Sequence, residues 1–217
     1  MASGFLKNIV LALALATAGT FVVPMQDAMA TTLYPLTVEQ RTDISDYIVR
    51  GTVTEVWTEM DERGSVWTRA RVSISDIYKG PDAPADLIID SFGGTYGAHT
   101  TGMEARAVFS VHEELIAFLS LQGNGRLVPI GKFMGKYSVR KAPDSDRSHV
   151  MLWHPTAKLE FDARFLPHPA PEDRTYLDDL LTQVNDHVAT GWDGKPIPGA
   201  SMDKLQKVNT PAYRTRR

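Results

Sequence analysis

Histidine and acidic side chains are the first residues of this chain whose spacing could support chemistry, because they bind metal ions and transfer protons. Residues 112–114 read His-Glu-Glu and begin like the zinc motif His-Glu-x-x-His, but no second histidine follows at the required spacing. Asp144, Asp146, His149 and His154 could surround a cation. They lack the glycine-bearing loop and distal glutamate of a calcium site, so a solvated loop is the preferred interpretation.

Nucleophilic and phosphate chemistry have no complete motif in the sequence. The chain contains no cysteine, which excludes a thiol nucleophile, a thiolate metal site and a disulfide framework. There is no Gly-x-Ser-x-Gly elbow for a serine hydrolase. The glycine-rich residues 93–97 lack both the dinucleotide-binding spacing and a P-loop lysine, so they indicate a tight loop between strands. The adjacent Asp178 and Asp179 point about 100° apart on a helix and are not a catalytic pair.

These observations predict a protein that is not an enzyme and that carries no cofactor and no metal. A hydrolase with dispersed residues around His149 and His154 is a second alternative. Aromatic side chains provide the one candidate binding face, which is formed by Trp57, Trp67 and Tyr96. Trp67 falls on the polar face of a predicted strand, so it is the one most expected to be exposed. Packing inside a barrel is the alternative role for these rings.

The first thirty residues predict a signal peptide. A basic residue at Lys7 precedes an uncharged apolar run over residues 8–23, and Ala28-Met29-Ala30 provides the small residues that signal peptidase requires. The run is shorter than the roughly 20 residues that a membrane span needs, so an uncleaved anchor is the less favoured alternative. We expect cleavage after Ala30, a periplasmic or secreted protein, and no transmembrane segment afterwards.

Charge is distributed unevenly along the chain. The net charge of −3 argues against nucleic acid as the partner. Residues 194–217 contain six basic residues and one acidic residue, together with three prolines and few apolar residues. This composition predicts a mobile basic tail. Contact with an anionic surface or polymer is the alternative role of the tail.

The remaining residues, 31–193, predict a single domain. Thr37 and Gln40 match a capping box for a short helix over residues 38–45. Residues 66–74 alternate between apolar and polar, the pattern of a strand with one buried face. Residues 115–121 are continuously apolar, which indicates a buried strand. We expect further strands over residues 47–57, 87–92, 126–130 and 135–140, and an amphipathic helix over about 172–189.

The central part of the chain resembles a group of exported bacterial proteins of unassigned function. The resemblance covers residues 37–141. It is carried by residues 48–53, 66–74, 78–80, 92–94, 109–115, 117–119 and 131–137. Members of this group typically have glycine before Glu113 and proline before Phe109, where this chain has His112 and Ala107.

A more distant resemblance is to netrin-like domains, including the amino-terminal domain of the tissue inhibitors of metalloproteinases. The matching segments are Val49–Val53, Ile77–Gly80 and Leu115–Leu119. The resemblance implies a mainly β fold, an OB-like barrel over about residues 46–141. The netrin-like inhibitors place an amino-terminal cysteine on the protease metal, and this chain has none.

We therefore expect an exported, non-enzymatic binding or interaction module whose partner is an unidentified protein or envelope component. A regulator or inhibitor of an exported metalloprotease is the first alternative, and it rests on the netrin-like resemblance alone.

Overall fold

A computed structural model describes residues 36–82, 84–102, 106–141, 146–152, 160–161, 167–168 and 174–211 of the chain. The fold is mainly β, as the sequence predicted. The predicted signal peptide, and His154 with Asp144 of the predicted cation loop, lie outside the described residues.

The helices are α1 (Val38–Ile44), α2 (Leu177–Thr190) and α3 (Met202–Val208), with a 3-10 helix over Lys132–Gly135. The strands are β1 (Tyr47–Met60), β2 (Val66–Lys79), β3 (Asp86–Phe92), β4 (Gly94–Tyr96), β5 (His99–Thr101), β6 (Glu114–Leu121), β7 (Leu127–Pro129), β8 (Lys136–Lys141), β9 (Ser148–Leu152), β10 (Glu160–Phe161), β11 (Pro167–His168) and β12 (Arg174–Tyr176).

Strands β1 and β2, which cover two of the predicted strands, form a long antiparallel hairpin. The side chain of Asp61 stabilises its turn by accepting hydrogen bonds from the backbone N–H groups of Arg63 and Ser65, at 3.0 and 2.9 Å. Along β2, residues from Val66 to Val72 alternate between fully buried and half-buried. The apolar face of the hairpin therefore points into the core, as the period of two requires.

Strand β1 pairs with two neighbours because it bends. It is antiparallel to β2 along one edge and to β6 along the other. Its register against β2 shifts between Arg50 and Gly51, where glycine is required by a close approach. A Cβ atom on Gly51 would lie only 2.4 Å from the backbone oxygen of Ser73. The pairings β1–β2–β3–β7–β6–β1 therefore form a closed cycle, in which β3 and β7 run parallel.

Strand β6 has both faces buried, which explains its continuous apolarity. Leu115, Ala117 and Leu119 belong to a cluster enclosed by the cycle of strands. Ile116 and Phe118 belong to a second cluster, on the opposite face, that includes residues of all three helices. The strand therefore separates two hydrophobic cores.

The sheet extends further than the predicted limit at residue 141. Strand β8 pairs with β9, and β9 pairs with β12, which leads directly into α2. The predicted start of the second helix at residue 172 is therefore wrong, since residues 174–176 are a strand and the helix begins at Leu177. Periodicity did not detect β9 and β12 because they are short and their flanking residues are mixed in character.

The prediction of a mobile tail from residue 194 is wrong for the described part of that segment. Leu205 and Val208 of α3 are fully buried, and Ile197 is 5% exposed. Lys204 pairs with the buried Asp46 at 3.0 Å, and Asn209 donates a hydrogen bond to the backbone oxygen of Asp43 at 3.0 Å. Lys204 and Lys207 of this segment therefore belong to a docked helix. Within the described residues, no helix is both long enough and apolar enough to cross a bilayer.

Candidate functional site

Four charged side chains form an ion-pair network on the outer face of β1, β2 and β3. Asp90 lies between two guanidinium groups, 2.7 Å from Arg69 Nε and 2.9 Å from Arg126 Nη1. The same two arginines bind Glu59, at 2.8 and 3.1 Å. Two cations and two anions therefore neutralise each other. The network fixes the arginine side chains above the hairpin.

Burial and the arginines act in opposite directions on the two carboxylates of the network. Burial of the Glu59 carboxyl would raise its pKa, but hydrogen bonds from Arg69 and Arg126 outweigh burial and hold that pKa below its usual value. The Asp90 side chain is only 2% exposed. Burial raises its pKa even though both arginines favour the ionised form. The pKa of Glu59 is therefore lower than its ordinary value, whereas the pKa of Asp90 is higher than its ordinary value.

We expect Glu59 to contribute to stability only when it is ionised. Because its pKa is lowered in the folded chain, its contribution is present above the ordinary value of 4.5 and is lost as the pH falls through the lowered value. Glu59→Gln should therefore be less stable than wild type at neutral pH, and the difference should shrink between about pH 5 and pH 3. Urea unfolding at several pH values measures this. A difference that stays constant across the range would contradict the assignment.

The three predicted aromatic residues do not form one face. Trp57 is half-buried under the guanidinium groups of Arg69 and Arg71, at 5.5 and 5.7 Å from the ring centre. Tyr96 is 47% exposed and lies on the separate two-stranded sheet of β4 and β5. Trp67 is placed differently. Its ring packs edge-on against Phe92 at 5.0 Å, and its Nε1–H donates to Asp61 at 3.0 Å.

A cavity of 190 Å³ opens beside Trp67, between strands β2, β3 and β7. Of the three predicted aromatic residues, only Trp67 lines it. The other lining residues are Asp90, Ser91, Phe92, Arg106, Gln122, Val128, Pro129 and Lys132. A wider groove on the far side of Asp90 and Arg126 is open and is lined by the ion-pair network itself. The cavity beside Trp67 is half-open and has a more apolar lining than the groove, so it is the better candidate for a binding site.

Two cations at this cavity, Arg106 and Lys132, have no ion-pair partner among the described carboxylates. Arg69 and Arg126 close by both form ion pairs. Arg106 donates a hydrogen bond to the hydroxyl of Thr68 at 3.1 Å, which orients its guanidinium. Sequence reasoning missed both residues. Arg106 lies in the loop before β6 and Lys132 begins the 3-10 helix, so only the fold shows that both line one cavity.

A second cluster, of Glu113, Lys136 and Ser138, is buried instead of accessible. Lys136 Nζ and Ser138 Oγ both donate to Glu113 Oε1, and Lys136 also donates to the backbone oxygen of Val108 at 2.8 Å. Burial lowers the pKa of Lys136, while Glu113 acts in the opposite direction. Glu113 and Lys136 are each 4% exposed and Ser138 is 9% exposed. This burial closes the cluster to a substrate, so we assign it a structural role.

The other predicted sites are occupied by ordinary packing contacts. Glu113, from the run that resembles a zinc motif, is bound to Lys136. His149 stacks on Tyr176 at 4.6 Å between ring centres. No group of three or more histidine and acidic side chains within the described ranges is arranged to hold a metal ion. No protein-family model matches the chain, and no curated protein matches it either.

Proposed function

We propose that this chain is an exported, non-enzymatic binding protein whose ligand occupies the cavity beside Trp67. The observation that carries the proposal is the combination of a half-open, largely apolar cavity with two lining cations that have no described carboxylate partner. A soluble domain normally pairs or solvates its charges. An apolar cavity with a few polar groups directed at one place is typical of a ligand site.

The proposal includes an OB-like barrel as the scaffold. The closed cycle of five strand pairings, with β3 parallel to β7, supports it. The enclosed apolar cluster, with Val53, Val72 and Leu115 at its centre, supplies the core that such a barrel needs. The resemblance to netrin-like domains over the same strands agrees with this topology. The cavity would then lie on the outer face of the barrel.

Export is the second component of the proposal. The apolar run over residues 8–23 and the Ala-x-Ala sequence at residues 28–30 support it. An exported binding module would meet its ligand in the periplasm or the medium. Expression of the full-length chain with a reporter, followed by amino-terminal sequencing of the exported form, tests cleavage after Ala30.

Filling the cavity should abolish ligand retention. The mature protein is equilibrated with culture fluid and envelope extract of its native host, washed by ultrafiltration, and its retained small molecules are identified by mass spectrometry. We expect wild type to retain a ligand and Val128→Trp to retain at least tenfold less, because a tryptophan at Val128 would occupy the cavity that Val128 lines.

The matched control is Val111→Trp, the same substitution at a position that is 46% exposed and does not line the cavity. It should retain the ligand as wild type does. If Val128→Trp unfolds at lower urea than wild type, Val128→Met fills the cavity less severely and replaces it. Equal retention by wild type and both folded Val128 variants would remove the cavity from the proposal.

A further inference from the structure

We propose that the cavity beside Trp67 takes a small carboxylate that carries one ring, with the ring against Trp67 and the carboxylate between Arg106 and Lys132. This inference rests on the proposed function and specifies its ligand class. Three features support it: the volume of the cavity, its largely apolar lining, and the two lining cations that have no described carboxylate partner.

The volume and the lining favour a single ring. A buried apolar cavity of about 150 Å³ is sufficient to hold a benzene molecule. The cavity of 190 Å³ therefore has room for one ring with a carboxylate attached. Trp67 and Phe92 are already arranged edge to face at 5.0 Å, and Pro129 provides a further apolar surface. Rings pack favourably against such groups.

The charges favour an anion. Asp90 also lines the cavity, but two guanidinium groups already neutralise it. Arg106 and Lys132 therefore leave the cavity with an excess of positive charge. A guanidinium group binds a carboxylate through two parallel hydrogen bonds, and an ammonium group adds a point charge, so the two cations together suit one carboxylate.

The backbone conformation of Lys132 gives independent support. Its φ angle of 64° lies in the left-handed region, and it directly follows Gly131, which has a φ angle of 58°. Side chains other than glycine are strained in this region, and such strain concentrates at functional positions. A lysine that adopts a backbone conformation suited to glycine, and that lines the cavity, is explained if its ammonium group is needed there.

The direct test is titration of the mature protein with three probes: benzoate, benzyl alcohol and acetate. Binding is followed by the NMR signal of the Trp67 indole N–H, assigned with a Trp67→Phe variant. We expect benzoate to bind at least tenfold more tightly than benzyl alcohol, which lacks the charge, and than acetate, which lacks the ring. Equal affinity for benzoate and benzyl alcohol would overturn the preference for an anion. Equal affinity for benzoate and acetate would overturn the requirement for a ring.

Lys132→Gly separates a binding role from a structural one. Glycine relieves the left-handed strain, so the urea midpoint should stay the same or rise, while benzoate affinity should fall at least tenfold. Arg106→Gln should have a similar effect on affinity, and Lys207→Ala, on an exposed position of α3, should have none. Unchanged affinity in both Lys132→Gly and Arg106→Gln would overturn the proposed contacts.

If Val128→Trp abolishes retention of a host ligand but benzoate does not bind, the ligand class is wrong and the proposed function stands.

Discussion

Replacing Lys136 with methionine should lower the free energy of unfolding by about 3 to 5 kcal/mol, because it leaves the buried carboxylate of Glu113 without its cation. Both side chains of the pair are no more than 5% exposed, so water cannot take the place of the lost partner. Methionine keeps most of the aliphatic stem, so the loss comes from the ammonium group and its hydrogen bonds to Glu113 and to the backbone oxygen of Val108. Urea unfolding at neutral pH measures the loss.

The matched control for Lys136→Met is Lys195→Met. Lys195 also pairs with a carboxylate, that of Asp193 at 2.7 Å, but it is 82% exposed. The control should lose much less stability than Lys136→Met, because water screens an exposed ion pair and solvates the remaining charge. An equal loss in both variants would contradict the structural role of the buried cluster.

Leu205→Ala should destabilise the chain by about 2 to 5 kcal/mol, the usual cost of truncating a fully buried leucine. Leu205 is 0% exposed and belongs to the same core cluster as Ile48, Phe118 and Leu180. A mobile tail would make the same substitution almost neutral, so this variant separates the two interpretations of residues 194–211.

The control for Leu205→Ala is Met202→Ala on the same helix. Met202 is 41% exposed, so its truncation should change the free energy of unfolding by less than about 0.5 kcal/mol. Nearly equal effects of the two variants would show that α3 is not docked on the core in solution.

Strand positions could be predicted well wherever one physical pattern dominated. The alternation that begins at Val66 marked the start of β2 correctly, because one face of the strand is buried from Val66 to Val72. The apolar run over Leu115–Leu119 correctly indicated burial. It could not show that the two faces of β6 enter different cores, since that depends on which elements cover each face.

The docking of α3 could not be predicted because its apolar signal is small. Leu205 and Val208 are the two buried residues of a seven-residue helix that also carries Asp203, Lys204 and Lys207. Composition therefore indicated a solvated segment. Ser201 was the one available signal, since its hydroxyl caps the helix by accepting from the N–H of Lys204.

The candidate site was predictable only at Trp67. Its position on the polar face of β2 indicated accessibility, whereas Arg106 and Lys132 carry no signal that links them to it along the chain. The backbone of His112 was not predictable from its residue type. Its φ angle of 67° lies in the left-handed region, which favours glycine.

The most direct test of the binding role is a crystal structure of the mature protein with the small molecule that it retains from its host. We expect ligand density beside Trp67 and Phe92, with an anionic group within hydrogen-bond distance of Arg106 or Lys132. Density at the exposed Tyr96 hairpin, or in the open groove beyond Asp90 with the cavity left unfilled, would contradict the central claim.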